Sequence, residues 1–254
     1  MTTNASPDDP ISGLDHASSA WFGDDFSRMT GAAPRAHLVH WVDLVETPTV
    51  RAIRARRAAI AEVLGAAATC DALDEAVRQF STDTPAVHAH ARRVAQTSAA
   101  VGLLMGTTAP EADDLTRAAL LHDIGRLALP SSPARTGTPR PGVEARLARL
   151  RGLLGTEMLE ATPALRPIAA IVAAVGERWD GSGFPAGRAG AAIPLAARII
   201  AVADAHDEMT HPDRAADAWS DDDANVELVR RAGRDFDPDV VRAWLRAMEN
   251  VSCF

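Results

Sequence analysis

A histidine and an aspartate stand side by side at the end of an apolar helical pattern: His122-Asp123, directly before Ile124-Gly125-Arg126. Leu115, Ala118, Ala119 and His122 share one face of the segment 111–124, so the histidine arrives where a core residue belongs. Burying polar or charged groups is costly unless a partner satisfies them. The chain must therefore fold so that other polar groups, or an ion, meet this pair. The segment 84–105 supplies one such group: Val87, His90, Val94, Thr97, Val101 and Leu104 recur at alternating three- and four-residue steps, with His90 inside the stripe. The apolar helix 195–210, launched by Pro194, supplies another in Asp204.

The rest of the chain is patterned in the same way. Periodicity predicts helices over Val50–Ala67, Asp71–Phe80, 143–160, 163–176, 222–232 and 238–249, with Gly106 and Gly125 as terminators. The stretch 130–142 holds four prolines and two glycines and reads as a loop, and 177–194 reads as irregular. No strand-length alternation and no internal repeat occur, so the expected fold class is all-α. Residues 1–30 are expected to form a loose tail, 31–80 accessory helices that pack on the main domain or form a dimer surface, and 81–254 the main domain.

Composition excludes several function classes. Hydrophobic residues make up 47% of the chain, which is globular usage rather than disorder. The formal charge of -8 argues against a nucleic-acid duplex as partner. Arginine clusters at Arg51 to Arg57 and Arg146 to Arg151 are suited to a small anion. Cys70 and Cys253 have neither zinc-like spacing nor a disulfide framework around them. Met1 to Pro10 is polar and acidic, unlike a signal peptide, and the apolar stretches are too short to span a bilayer. A cytoplasmic location is expected.

His90, His122, Asp123 and Asp204 together offer two imidazoles and two carboxylates, a nitrogen/oxygen set suited to one divalent ion. Such an ion lowers the pKa of a bound water and polarises a phosphoryl oxygen. Each residue also has an ordinary reading: a core histidine satisfied by its neighbours, an Asp204 paired with an arginine, an Asp123 that ends its helix. His37, His40 and Trp41 read as packing or surface, Trp219 and Trp244 as core, Trp179 as a wedge beside the Asp180-Gly181 turn. The run Asp221-Asp222-Asp223 after Ser220 reads as a helix N-terminus, where negative charge is favourable.

In order along the chain, His90, His122-Asp123 and Asp204 resemble the metal-ligand set of the HD superfamily of metal phosphohydrolases. Glu177-Arg178-Trp179-Asp180-Gly181-Ser182-Gly183-Phe184-Pro185 resembles the signature of its HD-GYP subfamily, and so do the stretch from Ile193 to Thr210 and the closing Phe236-Asp237-Pro238. The match covers roughly residues 80–250. It implies an HD-domain helical bundle with a short N-terminal helical extension. Active members hydrolyse the bacterial second messenger cyclic di-GMP, so the resemblance implies a metal-dependent phosphodiesterase in a signalling role, with a cyclic dinucleotide or other nucleotide as ligand. It implies one divalent ion, manganese, iron or another transition metal, on His90, His122, Asp123 and Asp204. Asp123 and Arg126 are the implied catalytic residues; Arg126, Arg151, Asp180, Gly183 and Arg214 are the implied substrate contacts.

The departures from the family pattern are specific. Arg151 stands where the family has a histidine, four residues before Gly155. Val175-Gly176 stand where it has two adjacent histidines before Glu177. Those three histidines complete a two- or three-metal centre in active members. Ala86 replaces a glutamate that some members carry, Phe184 the signature tyrosine, and Arg126 a lysine. The family's Asp-Arg-Pro-Tyr-Arg/Lys stretch becomes Asp213-Arg214-Ala215-Ala216-Asp217, with an aspartate where a phosphate-binding cation is usual. Three readings follow. The first is a binding or signalling module with weak or no hydrolysis, acting through a ligand, a protein partner or a homodimer formed by the N-terminal helices. The second is a working one-metal phosphohydrolase. The third is an interaction module without an ion, in which an arginine neutralises Asp204.

Overall fold

The computed structural model describes residues 48–67, 69–82, 84–128, 141–212 and 217–251. The expectations for the tail, for His37, His40 and Trp41, for residues 129–140 of the proline-rich loop, and for Arg214 lie outside these. Ten α-helices are described: α1 (Pro48–Ala66), α2 (Cys70–Phe80), α3 (Pro85–Leu104), α4 (Ala109–Leu121), α5 (Ile124–Ala128), α6 (Pro141–Ala161), α7 (Arg166–Ala173), α8 (Leu195–Thr210), α9 (Asp221–Arg231) and α10 (Pro238–Val251). No strand occurs among the described residues, as the periodicity predicts.

Local chemistry explains the boundaries. Pro85 opens α3, where its missing N–H costs nothing, and Gly106 closes it at φ +76, a conformation that favours glycine. Thr108 and Glu111 form a reciprocal capping box on α4. Thr69 and Ser220 cap α2 and α9 through their hydroxyls, and three aspartates fill the first turn of α9. At the start of α10 the Asp237 carboxylate accepts the backbone N–H of Asp239 at 2.8 Å.

α3, α4 and α8 pack on one another around a core that includes Val94, Val101, Leu115, Leu121, Ile199 and Ile200, all buried. α1 and α2 add Ile60, Leu64 and Leu73 to the same cluster. Arg56 of α1 donates to the carbonyls of Leu127 at 2.5 Å and Phe80 at 3.0 Å, and Arg57 pairs with Glu157. Two of the N-terminal arginines thus brace helix ends and helix faces.

Three expectations need correction. The helix expected over 111–124 ends at Leu121, and a separate short helix, α5, runs from Ile124, so Gly125 lies inside a helix. The reason is a close approach: a Cβ at Gly125 would stand 1.9 Å from the Arg151 carbonyl oxygen and 2.7 Å from the Gly155 nitrogen of α6. Leu104 is 50% exposed; Leu115 of α4 packs instead against Gly102, two residues earlier on α3. Trp219 is 47% exposed, in the turn before α9 where its backbone N–H bonds the Met209 carbonyl at 3.0 Å.

The segment 177–194 is irregular, as expected, and is tied to the turn before α10. Trp179 and Asp180 donate their backbone N–H groups to the carbonyls of Asp235 and Arg234 at 3.1 and 2.9 Å. The Glu177 carboxylate accepts the N–H groups of Ala186 and Arg188 at 2.7 and 3.1 Å. Asp235, buried, meets Arg231, Arg234 and Arg178 at 2.6, 3.1 and 3.3 Å. Burial works against its charge, but the hydrogen bonds from Arg234 and Arg231 and the nearby Arg178 hold its carboxyl down at about 2.

Gly125→Ala is expected to force α5 off α6 and to destabilise the protein by about 1–3 kcal/mol, measured by urea unfolding. Asp235 carries a depressed folded-state pKa, so its contribution is complete above the ordinary value of 3.8 and is lost as pH falls toward about 2. Asp235→Asn is therefore expected to cost on the order of 2 kcal/mol at neutral pH. The difference between parent and variant should close between pH 4 and 2 when unfolding is followed against pH.

Candidate metal centre

Three helices each deliver one side chain to the same point. His90 comes from the middle of α3, His122 from the end of α4 and Asp204 from α8. One ligand atom from each lies within 4.8 Å of the others. The His90 and His122 Nε2 atoms are 3.2 Å apart, and the Asp204 Oδ1 stands 3.2 Å from the first and 3.4 Å from the second. Donors that share one ion at bond lengths of about 2.0–2.2 Å are spaced in this way.

The hydrogen positions follow from the opposite face of each ring. The His122 Nδ1 lies 2.7 Å from the Ala119 carbonyl oxygen, which only accepts, so that nitrogen carries the hydrogen. The His90 Nδ1 lies 2.7 Å from Asp207 Oδ2, again an acceptor. In the neutral form of each ring the Nε2 lone pair faces the other ring and a carboxylate, an arrangement that calls for positive charge between them, from a proton or a metal ion.

The titration behaviour reports the same deficit of positive charge. Burial disfavours the imidazolium of His90, yet Asp204 and Asp207 raise it to about 10. Burial likewise opposes the charge of His122, and Asp204 overcomes it upward. Burial would raise Asp204, but the hydrogen bonds of His122 and His90 drive its carboxyl well below the usual range. Glu208, one turn beyond Asp204, is raised to about 7, by desolvation of its carboxyl and then by the charge of Asp204. The chain's own residues fit a divalent cation.

The other site residues expected from sequence are placed as follows. Asp123 is half-buried, 3.6 Å from the Arg126 guanidinium, and is not one of the three converging ligands. Arg151 is half-buried on α6, and its Nε is buried without a hydrogen-bond partner among the described residues. Asp180 is exposed and accepts the Ser182 N–H at 2.8 Å, which fixes a turn. Gly183 packs so closely that a Cβ would stand 2.2 Å from the Arg178 nitrogen. Phe184 lies under Arg149, whose guanidinium carbon is 5.2 Å from the ring centroid. The arginine expected beside Asp204 in an ion-free module is found elsewhere: Arg93 pairs with Asp207.

Sequence reasoning did not single out Asp207 and Arg93. The signal was present, since each follows a ligand by three residues on the same helix face, Asp207 after Asp204 and Arg93 after His90.

Comparison with known proteins is consistent with this geometry. Residues 77–240 match the HD-domain family model, and the chain belongs to that family. It is 33% identical over 175 residues to the 3'3'-cGAMP-specific phosphodiesterase 2 of Vibrio cholerae, covering 68% of this chain and 33% of that protein. It is 35% identical over 156 residues to the cyclic di-GMP phosphodiesterase response regulator RpfG of Xanthomonas campestris, covering 61% and 41%. A cyclic di-GMP phosphodiesterase of Thermotoga maritima is 29% identical over 171 residues, covering 65% and 45%. The chain thus spans less than half the length of these curated relatives. Among solved structures, the cyclic GMP-AMP specific phosphodiesterase V-cGAP3 of V. cholerae shares the fold, with a TM-score of 0.52 at 24% identity over 63% of this chain and 44% of that one. The HD-type resemblance read from the motifs and the all-α fold class are both borne out. No described helix is long and apolar enough to cross a membrane.

A divalent ion that binds only the folded protein stabilises it by about 2.7 kcal/mol at 100 times its dissociation constant. Manganese at that excess is expected to raise the melting temperature by about 5–10 °C. Asp204→Asn should remove the shift in a thermal scan, each protein being compared with its own metal-free melting temperature.

Proposed function

We propose that this chain is a one-metal HD domain that binds a cyclic dinucleotide and acts as a signalling module, with hydrolysis weak or absent. The observation that carries the reading is the convergence of the His90 and His122 Nε2 atoms on the Asp204 carboxylate at 3.2 and 3.4 Å. His90, His122 and Asp204 hold the ion, and Asp123, next to His122 and charged toward it, completes the set. A divalent ion there supplies Lewis acidity toward a phosphoryl oxygen.

The relatives named as cyclic di-GMP and cGAMP phosphodiesterases support the ligand class. A cyclic dinucleotide carries two phosphodiester groups, and the chain offers cations for them. Arg126, part-exposed next to Asp123, and Arg151, with its orphaned Nε donor, are the proposed phosphate contacts, with Arg214 as a third. Asp180 and Gly183 shape the signature loop that borders the ligand. Arg151, Val175 and Gly176 offer no ligand atom for a second cation, so attack and departure must share one ion. This is the physical basis for slow turnover. A second reading, a working one-metal phosphohydrolase with Asp123 and Arg126 in catalysis, is favoured by the completeness of the first ligand set.

Equilibrium binding and hydrolysis of cyclic di-GMP and 3'3'-cGAMP with added manganese separate the two. The proposal expects saturable binding that Arg126→Ala and Arg151→Ala each weaken, with turnover at least about 100-fold below that of a relative bearing all three histidines. Turnover at the relative's level, abolished by Asp123→Ala, would establish the second reading. Absence of binding by metal-loaded protein would remove the first.

A further inference from the structure

We propose that Arg93 and Asp207 are positioning residues of the metal centre, which hold His90 in the one tautomer able to ligate. The inference rests on the reading of His90, His122 and Asp204 as a metal-binding set and deepens it.

Asp207 is buried, and three hydrogen bonds from two side chains hold its carboxylate. Its Oδ2 receives the His90 Nδ1 at 2.7 Å and the Arg93 Nη2 at 2.9 Å. Its Oδ1 receives the Arg93 Nε at 2.5 Å and faces the His211 Nδ1 at 3.3 Å. Asp207 is not one of the converging ligands, and both its oxygens face into these bonds. Asp207 therefore acts on the site through His90. Arg93 grips both oxygens with two parallel N–H groups, the bidentate geometry that fixes the plane of a carboxylate. With that plane fixed, the His90 Nδ1–H has one acceptor, and its Nε2 is the nitrogen turned toward His122 and Asp204.

Arg93 also determines what a conservative replacement does. A guanidinium has donors only. Oδ2 serves both Arg93 and His90, and Oδ1 serves only Arg93 of the two. In Asp207→Asn one of these positions becomes an NH2, which opposes an Arg93 N–H in either orientation. The bidentate grip is lost, and with it the fixed acceptor for the His90 Nδ1–H.

The test is Mn2+ binding to the full chain, read from the free-ion electron paramagnetic resonance signal, with circular dichroism melts of the metal-free proteins as the folding control. Asp207→Asn is expected to weaken Mn2+ binding by about 10–100-fold, the usual effect of losing a group that orients a ligand. Arg93→Leu keeps the Asp207–His90 bond and should weaken binding less, by about 3–10-fold. An unchanged constant in folded Asp207→Asn overturns the proposal. If Asp207→Asn does not fold, Arg93→Leu carries the test, and an unchanged constant there overturns it equally. A parent protein that binds no Mn2+ overturns the metal reading itself, a result distinct from a parent that binds and variants that bind alike.

Discussion

Two imidazole lone pairs and a carboxylate cannot share a packed interior without positive charge among them, and the placement of α3, α4 and α8 follows from that demand. The Nε2 atoms of His90 and His122 approach to 3.2 Å only because the helices carrying them lie close together. Small residues permit the approach: Ala91 and Ala95 on α3, Ala118 and Ala119 on α4, and Ala203 on α8 are all buried. Interaxial distance depends on the side chains at the contact, so alanine at these positions is as much a part of the centre as the ligands. Larger residues would separate the helices and dissolve the convergence. The alanine-rich composition of these segments thus has a local purpose, beyond helix propensity.

The signature loop illustrates how a motif outlasts part of the chemistry associated with it. Glu177 collects two backbone N–H groups from the loop, Gly183 sits where no side chain fits, and the loop backbone hangs on Arg234 and Asp235. Each of these contacts serves the folding of 177–194 itself. The segment therefore keeps its signature for conformational reasons while neighbouring positions change. Gly176, just before it, shares this duty: its carbonyl accepts the Phe184 N–H at 3.0 Å, and a Cβ there would stand 2.9 Å from the Phe184 carbonyl oxygen.

Most of the fold was legible in the sequence because the helices are amphipathic and their ends carry proline, glycine or a capping hydroxyl. His90, His122 and Asp204 could be found from the same periodicity, since a polar residue inside an apolar stripe marks itself. Gly125 was misread because glycine after a helix is a common terminator, whereas its use here is to let α5 lie against the α6 backbone; close approach between segments so far apart in sequence leaves no local trace. Leu104 and Trp219 were misread for a related reason. Periodicity identifies the face a helix will bury but not where its neighbour stops covering it. Asp207 and Arg93 were missed because charged residues on a helix look like ordinary solvated ones until the facing helix is known.

The bracing of α5 connects these observations. α5 follows His122-Asp123 with no linker, so its direction fixes where the Asp123 and Arg126 side chains emerge. One face of α5 is set by the Gly125 contact with α6 and its C-terminal end by Arg56, which also caps the end of α2. Arg57 ties the same stretch of α1 to Glu157 on α6. α1 therefore clamps both helices that carry the arginines proposed to meet phosphate, Arg126 on α5 and Arg151 on α6. A displacement of α1 would thus reach Asp123, Arg126 and Arg151 first, while His90, His122 and Asp204 are carried by α3, the end of α4 and α8.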